Sequence, residues 1–185
     1  MTPAVQLPTH AIPQADVLWD VVQVPIAVRA GATTPEALAV ALGAKVRRQA
    51  VYYTQAAQIL GLIAERSFDG PLELTPYGRA FVRYTYHGQH RALRHLLLRT
   101  EPMRSVVHAL IDHDGQNLDE LGTLLQGMAP LAASTARRRA RTIVSWLCDL
   151  DLARWERTVV VYCGPQLATY ALSRTSLPSE PQPRA

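Results

Sequence analysis

Apolar residues recur at i, i+4, i+7, i+11 and i+14 in two stretches of this chain: Val46, Ala50, Tyr53, Ala57 and Leu60, then Ala136, Ala140, Ile143, Leu147 and Leu150. Each step of that spacing returns to the same face of an α-helix, so both stretches predict long helices with a buried stripe. Every residue of the second set follows its counterpart by 90 positions (136 − 46 = 90, 150 − 60 = 90). On the outer face the same offset carries Arg48 onto Arg138 and Gln55 onto Ser145. The pattern points to a duplicated unit with a polar, basic outer surface.

The flanking positions extend the two units. Ala15 to about Val24 predicts a helix that Pro25 ends or kinks. Thr34-Pro35-Glu36 supplies a cap, a proline for the first helical position and an acid for the first turn, predicting a helix from Pro35 to Leu42 that closes on Gly43. After a short turn the long helix spans Lys45 to Leu60 and stops at Gly61. LIAERS and LELT around Asp69-Gly70 predict a hairpin, and Thr75-Pro76 opens another helix. In the second half, His90 to Leu98 and Pro102 to Ile111 predict helices, the latter capped from Thr100. Asp112 to Gly115 reads as a turn, Asn117 caps LDELGTLLQ, and Gly127 to Ala133 forms a longer turn. Ser134 or Thr135 caps the second long helix, which runs to Leu150. Leu152 to Glu156 and Val159 to Cys163 predict a second hairpin across Arg157-Thr158. The proline-rich ends, 1–13 and 174–185, read as loose tails.

Composition fits this organisation. With 185 residues, 48% of them hydrophobic and 18% charged, the chain has room for two small modules with a true core. The expected fold is mostly α with small β-hairpins, in modules at 15–85 and 88–173. A net charge of +4 says little by itself, but of the 19 basic residues only Lys45 is a lysine. Arginine's planar fork suits phosphates and guanine edges. Cys148 and Cys163 have no zinc-ligand spacing, and His87, His90 and His95 have no carboxylate partner at ligand spacing. No metal site is expected, and both thiols read as free in a reducing compartment. The sequence contains no GxxxxGK[ST], GxSxG or HExxH motif, so neither an enzyme nor a cofactor is expected. A nuclease built on Asp112, His113 and Asp114 is a weak rival. No apolar run approaches the roughly 20 residues that span a bilayer, and the start lacks an export signal. A cytoplasmic, nucleoid-associated protein without a membrane partner is the expectation.

The long helix ending in LGLI, the hairpin after it and the LTPYGR sequence resemble winged-helix domains over about residues 15–82. STARRRARTIVSWL resembles the paired winged-helix region of some bacterial restriction enzymes and of uncharacterised regulators. The resemblance implies two winged helix-turn-helix modules in tandem that bind double-stranded DNA, in transcription regulation or in DNA repair or defence. The chain departs from the restriction enzymes in lacking their catalytic part. Its only lysine, Lys45, falls in the expected reading helix with no acid nearby in sequence.

Helical geometry points Ser134, Arg138, Arg141 and Ser145 away from the stripe, with Arg137 to one side. Arg139 lies beside the stripe, placed to snorkel or to pair with an acid. Lys45, Arg47, Arg48 and Gln55 are the corresponding DNA-contact candidates of the first module. Arg91 and Arg94 on the bridge and Arg66, Arg154 and Arg157 at the wing tips are candidates for phosphate contacts. Val51, Tyr52 and Ile59 make the first module's outer face apolar. The alternative function is therefore a winged-helix interaction module, with a homodimer or a partner protein on that face.

Overall fold

Residues 6–43, 47–67 and 70–165 are described by a computed structural model. A 3-10 turn, Thr9–Ala11, precedes helices α1 (Leu18–Arg29), α2 (Pro35–Ala41) and α3 (Arg47–Ile59) and the hairpin β1 (Ile63–Glu65) with β2 (Leu72–Leu74). Helices α4 (Pro76–Phe81) and α5 (Tyr86–Leu97) form a bridge. Then come α6 (Met103–Asp112), α7 (Leu118–Met128), α8 (Ala133–Asp149) and the hairpin β3 (Ala153–Glu156) with β4 (Val159–Tyr162). Three helices followed by an antiparallel two-stranded hairpin thus occur twice among the described residues.

The duplication extends beyond the apolar stripes. Ala50, Tyr53, Ala57 and Leu60 are buried, as are Ala136, Ala140, Ile143, Leu147 and Leu150, while Val46 lies outside the described residues. At the end of α3 the amide of Leu62 donates to Ala57 at 3.0 Å and that of Gly61 to Gln58 at 2.8 Å. At the end of α8 Leu152 donates to Leu147 at 2.8 Å and Asp151 to Cys148 at 3.0 Å. Gly61 (φ 67°) and Asp151 (φ 53°) occupy the same left-handed position, so both helices turn into their hairpins through one kind of cap. Each hairpin is also tied to the residue before its short helix. Leu72 donates to the Thr33 carbonyl at 2.9 Å, and Gln116 and Val160 exchange bonds of 3.0 and 2.8 Å. There the offset is 83 (116 − 33) instead of 90.

Several expectations are corrected. α1 continues through Pro25 to Arg29. An internal proline costs about 3 kcal/mol, but Leu18, Val21, Val22, Val24 and Val28 are all buried, and each contributes roughly 1.5–3 kcal/mol. α5 starts four residues before His90, at Tyr86, capped by Thr85. It is held by stacking of Tyr86 on Trp19 of α1, ring centroids 4.8 Å apart. α6 is not capped by Thr100. In its first turn the Glu101 carboxylate accepts from the Ser105 amide at 3.3 Å, from Ser105 Oγ at 2.6 Å and from Arg104 Nε at 2.7 Å. Burial alone would raise the Glu101 pKa, but these donors outweigh it and hold the carboxyl below its usual value. α7 runs through Gly127 to Met128, since its Asn117–Glu120 capping box and buried Leu118, Leu121 and Leu125 outweigh one glycine. α8 begins at Ala133, with Ala132 at the cap and no side-chain cap from Ser134 or Thr135. Gln126 pins the preceding turn by donating to the Leu131 carbonyl at 3.1 Å.

The largest correction concerns the N-terminal segment. Residues 6–13, expected within a loose tail, run over the surface in contact with both units and enter the core only at Ile12 and Pro13. Ile12 and Ala15 are fully buried, and Leu7 donates to the Met128 carbonyl at 2.7 Å. The buried indole of Trp146 donates to the Ala15 carbonyl at 3.0 Å. Residues 1–5 and 166–185, the expected C-terminal tail included, lie outside the described residues, as does Asp69 of the first hairpin turn.

LTPYGR is a packing device. Thr75 Oγ1 accepts from the Gly78 amide at 2.8 Å and donates to the Gly61 carbonyl at 2.6 Å, so one hydroxyl joins α4 to the end of α3. Arg79 donates to the Leu74 carbonyl at 2.7 Å. At Gly78 a Cβ would stand 1.8 Å from the Leu62 carbonyl oxygen. Gly78→Ala is therefore expected to destabilise the protein by about 3 kcal/mol, measured as a shift in the urea midpoint at unchanged m-value; a loss under about 0.5 kcal/mol would refute this packing account.

Candidate nucleic-acid interface

The outer face of α8 is built by its neighbour α7. Gly122 on α7 allows the close approach: a Cβ there would lie 3.2 Å from the Arg137 amide nitrogen. The buried stripe then fixes the rotation of α8, leaving Ser134, Arg138 and Arg141 exposed and Ser145 half-buried. Neither Arg138 nor Arg141 has a hydrogen-bond or ion-pair partner among the described residues. Two guanidinium groups one helical turn apart are therefore exposed, with no acceptor for their donors among the described residues.

The other two arginines of the run differ. Arg137 Nε lies 2.7 Å from Asp119 Oδ1 of α7. This pair takes Arg137 out of the unpaired set, although an exposed pair is worth only about 0–1 kcal/mol and yields readily to a stronger anion. Arg139 is buried at 7% exposure and pairs with no acid among the described residues. Its Nη1 donates to the carbonyls of Thr9 and, at 3.2 Å, of Ile12. Burial lowers its pKa, the like charge of Arg138 lowers it further, and the nearby Tyr52 phenol opposes both. Among the described residues two of the four arginines are thus unpaired on the surface, where sequence geometry gave three.

On α3, Arg48 donates from Nε to the Tyr52 hydroxyl and lies over the Tyr52 ring, 5.3 Å from its centroid. Gln55 is half-buried, and the side chains of Lys45 and Arg47 lie outside the described residues. The apolar trio does not form one exposed face: Val51 is exposed, Tyr52 is half-buried beneath Arg48, and Ile59 packs against the core. The 3-10 turn, Thr9–Ala11, lies beside α3 and also anchors α8, so the two helices flank one segment.

The bridge and hairpins contribute less unpaired charge. Arg91 is exposed and Arg94 half-buried on α5. His90 Nε2 lies 3.6 Å from Asp151 Oδ2, and His95 is engaged by Arg99 at 2.9 Å. Burial, then Arg99, lowers the His95 pKa. Arg104 is paired with Glu101 at 2.6 Å. In the second hairpin Arg154 is held by Glu156 at 2.6 Å, while Arg157 is exposed at the turn with φ 57°. Arg66 is exposed beyond β1. Trp155, 44% exposed between Arg154 and Glu156, was not anticipated; a lone indole in a short strand gives no sequence signal of which side it faces.

Asp112, His113 and Asp114 are exposed in and beside the turn after α6. Among the described residues no group of three or more His, Cys, Asp or Glu side chains is placed to hold a metal ion. Cys148 and Cys163 are free, and burial raises the Cys148 pKa. No helix among the described residues is long and apolar enough to cross a membrane.

No curated protein and no solved structure matches the chain. A family model described as a domain of unknown function, DUF7226, matches residues 34–149, from the Thr34 cap of α2 to the last residue of α8. That span is more than half of the 185 residues, and this protein belongs to the DUF7226 family.

Proposed function

We propose that this chain is a non-catalytic double-stranded DNA-binding protein made of two winged helix-turn-helix units in tandem, with α8 as its principal reading helix. The observation that carries the reading is the pair Arg138 and Arg141, exposed and without an acid partner among the described residues, in the first half of α8. In helix-turn-helix proteins the first half of the second helix approaches base edges, and arginine there donates to guanine or to phosphate. The arrangement α7, turn, α8 and hairpin supports the same reading, with Arg157 at the hairpin turn placed for backbone contact. A regulator, or the recognition part of a repair or defence assembly, would use such a surface.

The test is anisotropy of a labelled random-sequence duplex at several salt concentrations. Binding through four or five phosphates should lower log K with log salt at a slope of about −4. A slope near zero, or no binding in dilute buffer, would overturn the proposal. Selection of bound duplexes from a random pool then separates a sequence-reading regulator, which returns a consensus, from a backbone binder, which returns none.

A further inference from the structure

The two units follow one plan but are not packed alike. Aligning the caps Thr34 and Asn117 sets α2 against α7 at an offset of 83 (117 − 34), which carries Leu38 onto Leu121, Ala41 onto Leu124 and Leu42 onto Leu125. In the second unit Leu125 is fully buried, Leu124 packs on the core, and Gly122 brings α7 close to α8. In the first unit Ala41 is exposed, Leu42 is only half-buried, and Ala39 stands at the place of Gly122. Ala41 and Leu42 line a half-open cavity of about 310 Å³ between α1, α2 and α3. Its floor differs as well. Where α8 fills the stripe with Ile143, α3 presents Tyr53 (143 − 53 = 90), which is 4% exposed.

A buried phenol in an apolar stripe needs polar partners, and Tyr53 has two. Its hydroxyl donates to Asp20 Oδ2 of α1 at 3.1 Å and accepts from Gln49 Nε2 at 3.0 Å. Asp20 is exposed along the cavity wall. Among the described residues it has no cation partner, and it is the only charged group in the lining. Ile26, Ala27 and Leu42 supply apolar surface beside it.

We propose that this cavity binds a small organic cation, a protonated amine. Its ammonium group meets the Asp20 carboxylate beside the Tyr53 hydroxyl, and its hydrocarbon body lies along Ile26, Ala27 and Leu42. The space holds about ten non-hydrogen atoms at roughly 30 Å³ each, the lower end of ordinary ligand pockets. The charge selects the class, because an ammonium gives the carboxylate charge-assisted hydrogen bonds while an anion would be repelled by it. Once occupied, the cavity joins α1, α2 and α3 with the apolar contact that leucines supply in the second unit. The site stands apart from the duplex reading, and its test uses no nucleic acid.

The probe is 2-phenylethylammonium, with neutral 2-phenylethanol and anionic 3-phenylpropionate as controls of similar shape. Thermal unfolding of the full chain is followed at neutral pH and constant ionic strength. At a tenfold excess of the amine over its dissociation constant the wild type should gain about 3 °C or more, and the carboxylate should give no gain. Calorimetric titration should show the amine bound roughly tenfold more tightly than the alcohol by the wild type, and about equally by Asp20→Asn, which keeps the volume and removes the charge. Ala41→Leu places in the first unit the residue that the second carries. It should fill the cavity and abolish the amine response, with its own melting temperature within about 2 °C of the wild type; Asp20→Asn decides the matter if that protein does not fold. No response in the wild type, equal gains from amine and carboxylate, or an Asp20→Asn protein that still prefers the amine would overturn the proposal. So would an amine response that survives Ala41→Leu at full size, which would place the binding elsewhere.

Discussion

Replacing Arg138 and Arg141 together by glutamate should abolish duplex binding and leave the melting temperature within about 2 °C of the wild type. The exchange takes the formal net charge from +4 to 0 (two charges reversed, 4 − 4 = 0), all of it on one face of α8. If each arginine neutralises one phosphate, the salt slope falls by about two, and the added repulsion brings the loss of affinity to at least a hundredfold in dilute salt. The folded state has little to lose, because neither side chain is buried or paired among the described residues. Glutamate and arginine also differ little in helix propensity. Glutamate at 138 would even relieve the like charge beside Arg139. Retention of wild-type affinity in a low-salt gel shift, with the helical signal intact, would remove α8 from the interface.

Deleting residues 1–13 should cost about 4 kcal/mol, which lowers the melting temperature by about 10 °C for a chain of this size. Ile12 is fully buried, and a side chain of its kind contributes about 1.5–3 kcal/mol. The deletion also strips Arg139 of both carbonyl acceptors, leaving an unpaired buried group at about 1–3 kcal/mol. Together these consume a large share of the 5–15 kcal/mol that holds a typical domain folded. Combining the deletion with Arg139→Met should recover part of the loss, since no guanidinium is then left without partners. A truncated protein that melts within about 2 °C of the full chain would show that the segment does not hold the units together.

These outcomes separate what each level of description could know. The apolar positions of α3 and α8 were readable because a helix buries a stripe at a fixed period, and the same period placed Ser134, Arg138 and Arg141 outside. The turns between elements were readable where a residue type carries its own reason: Thr34 and Asn117 at caps, Gly43 and Gly61 at helix ends, Thr75 before Pro76. Asp151 takes the left-handed position that glycine takes at 61, and was missed because aspartate does not announce that conformation. Gly127 stays helical for the opposite reason, its preference being overruled by the buried leucines that precede it in α7.

By itself, then, the sequence determined a mostly helical chain built from a repeated plan, the inner and outer faces of its two long helices, and the concentration of arginine on one of them. Only the tertiary structure decided which arginines stay unpaired. Arg137 meets Asp119 from another helix, and Arg139 meets the carbonyls of Thr9 and Ile12, 130 and 127 positions away. Helical periodicity is a local property, fixed within a few residues by backbone geometry. A long-range partner depends on how helices pack, and a carbonyl acceptor is the same in every residue, so no side-chain type marks it in advance.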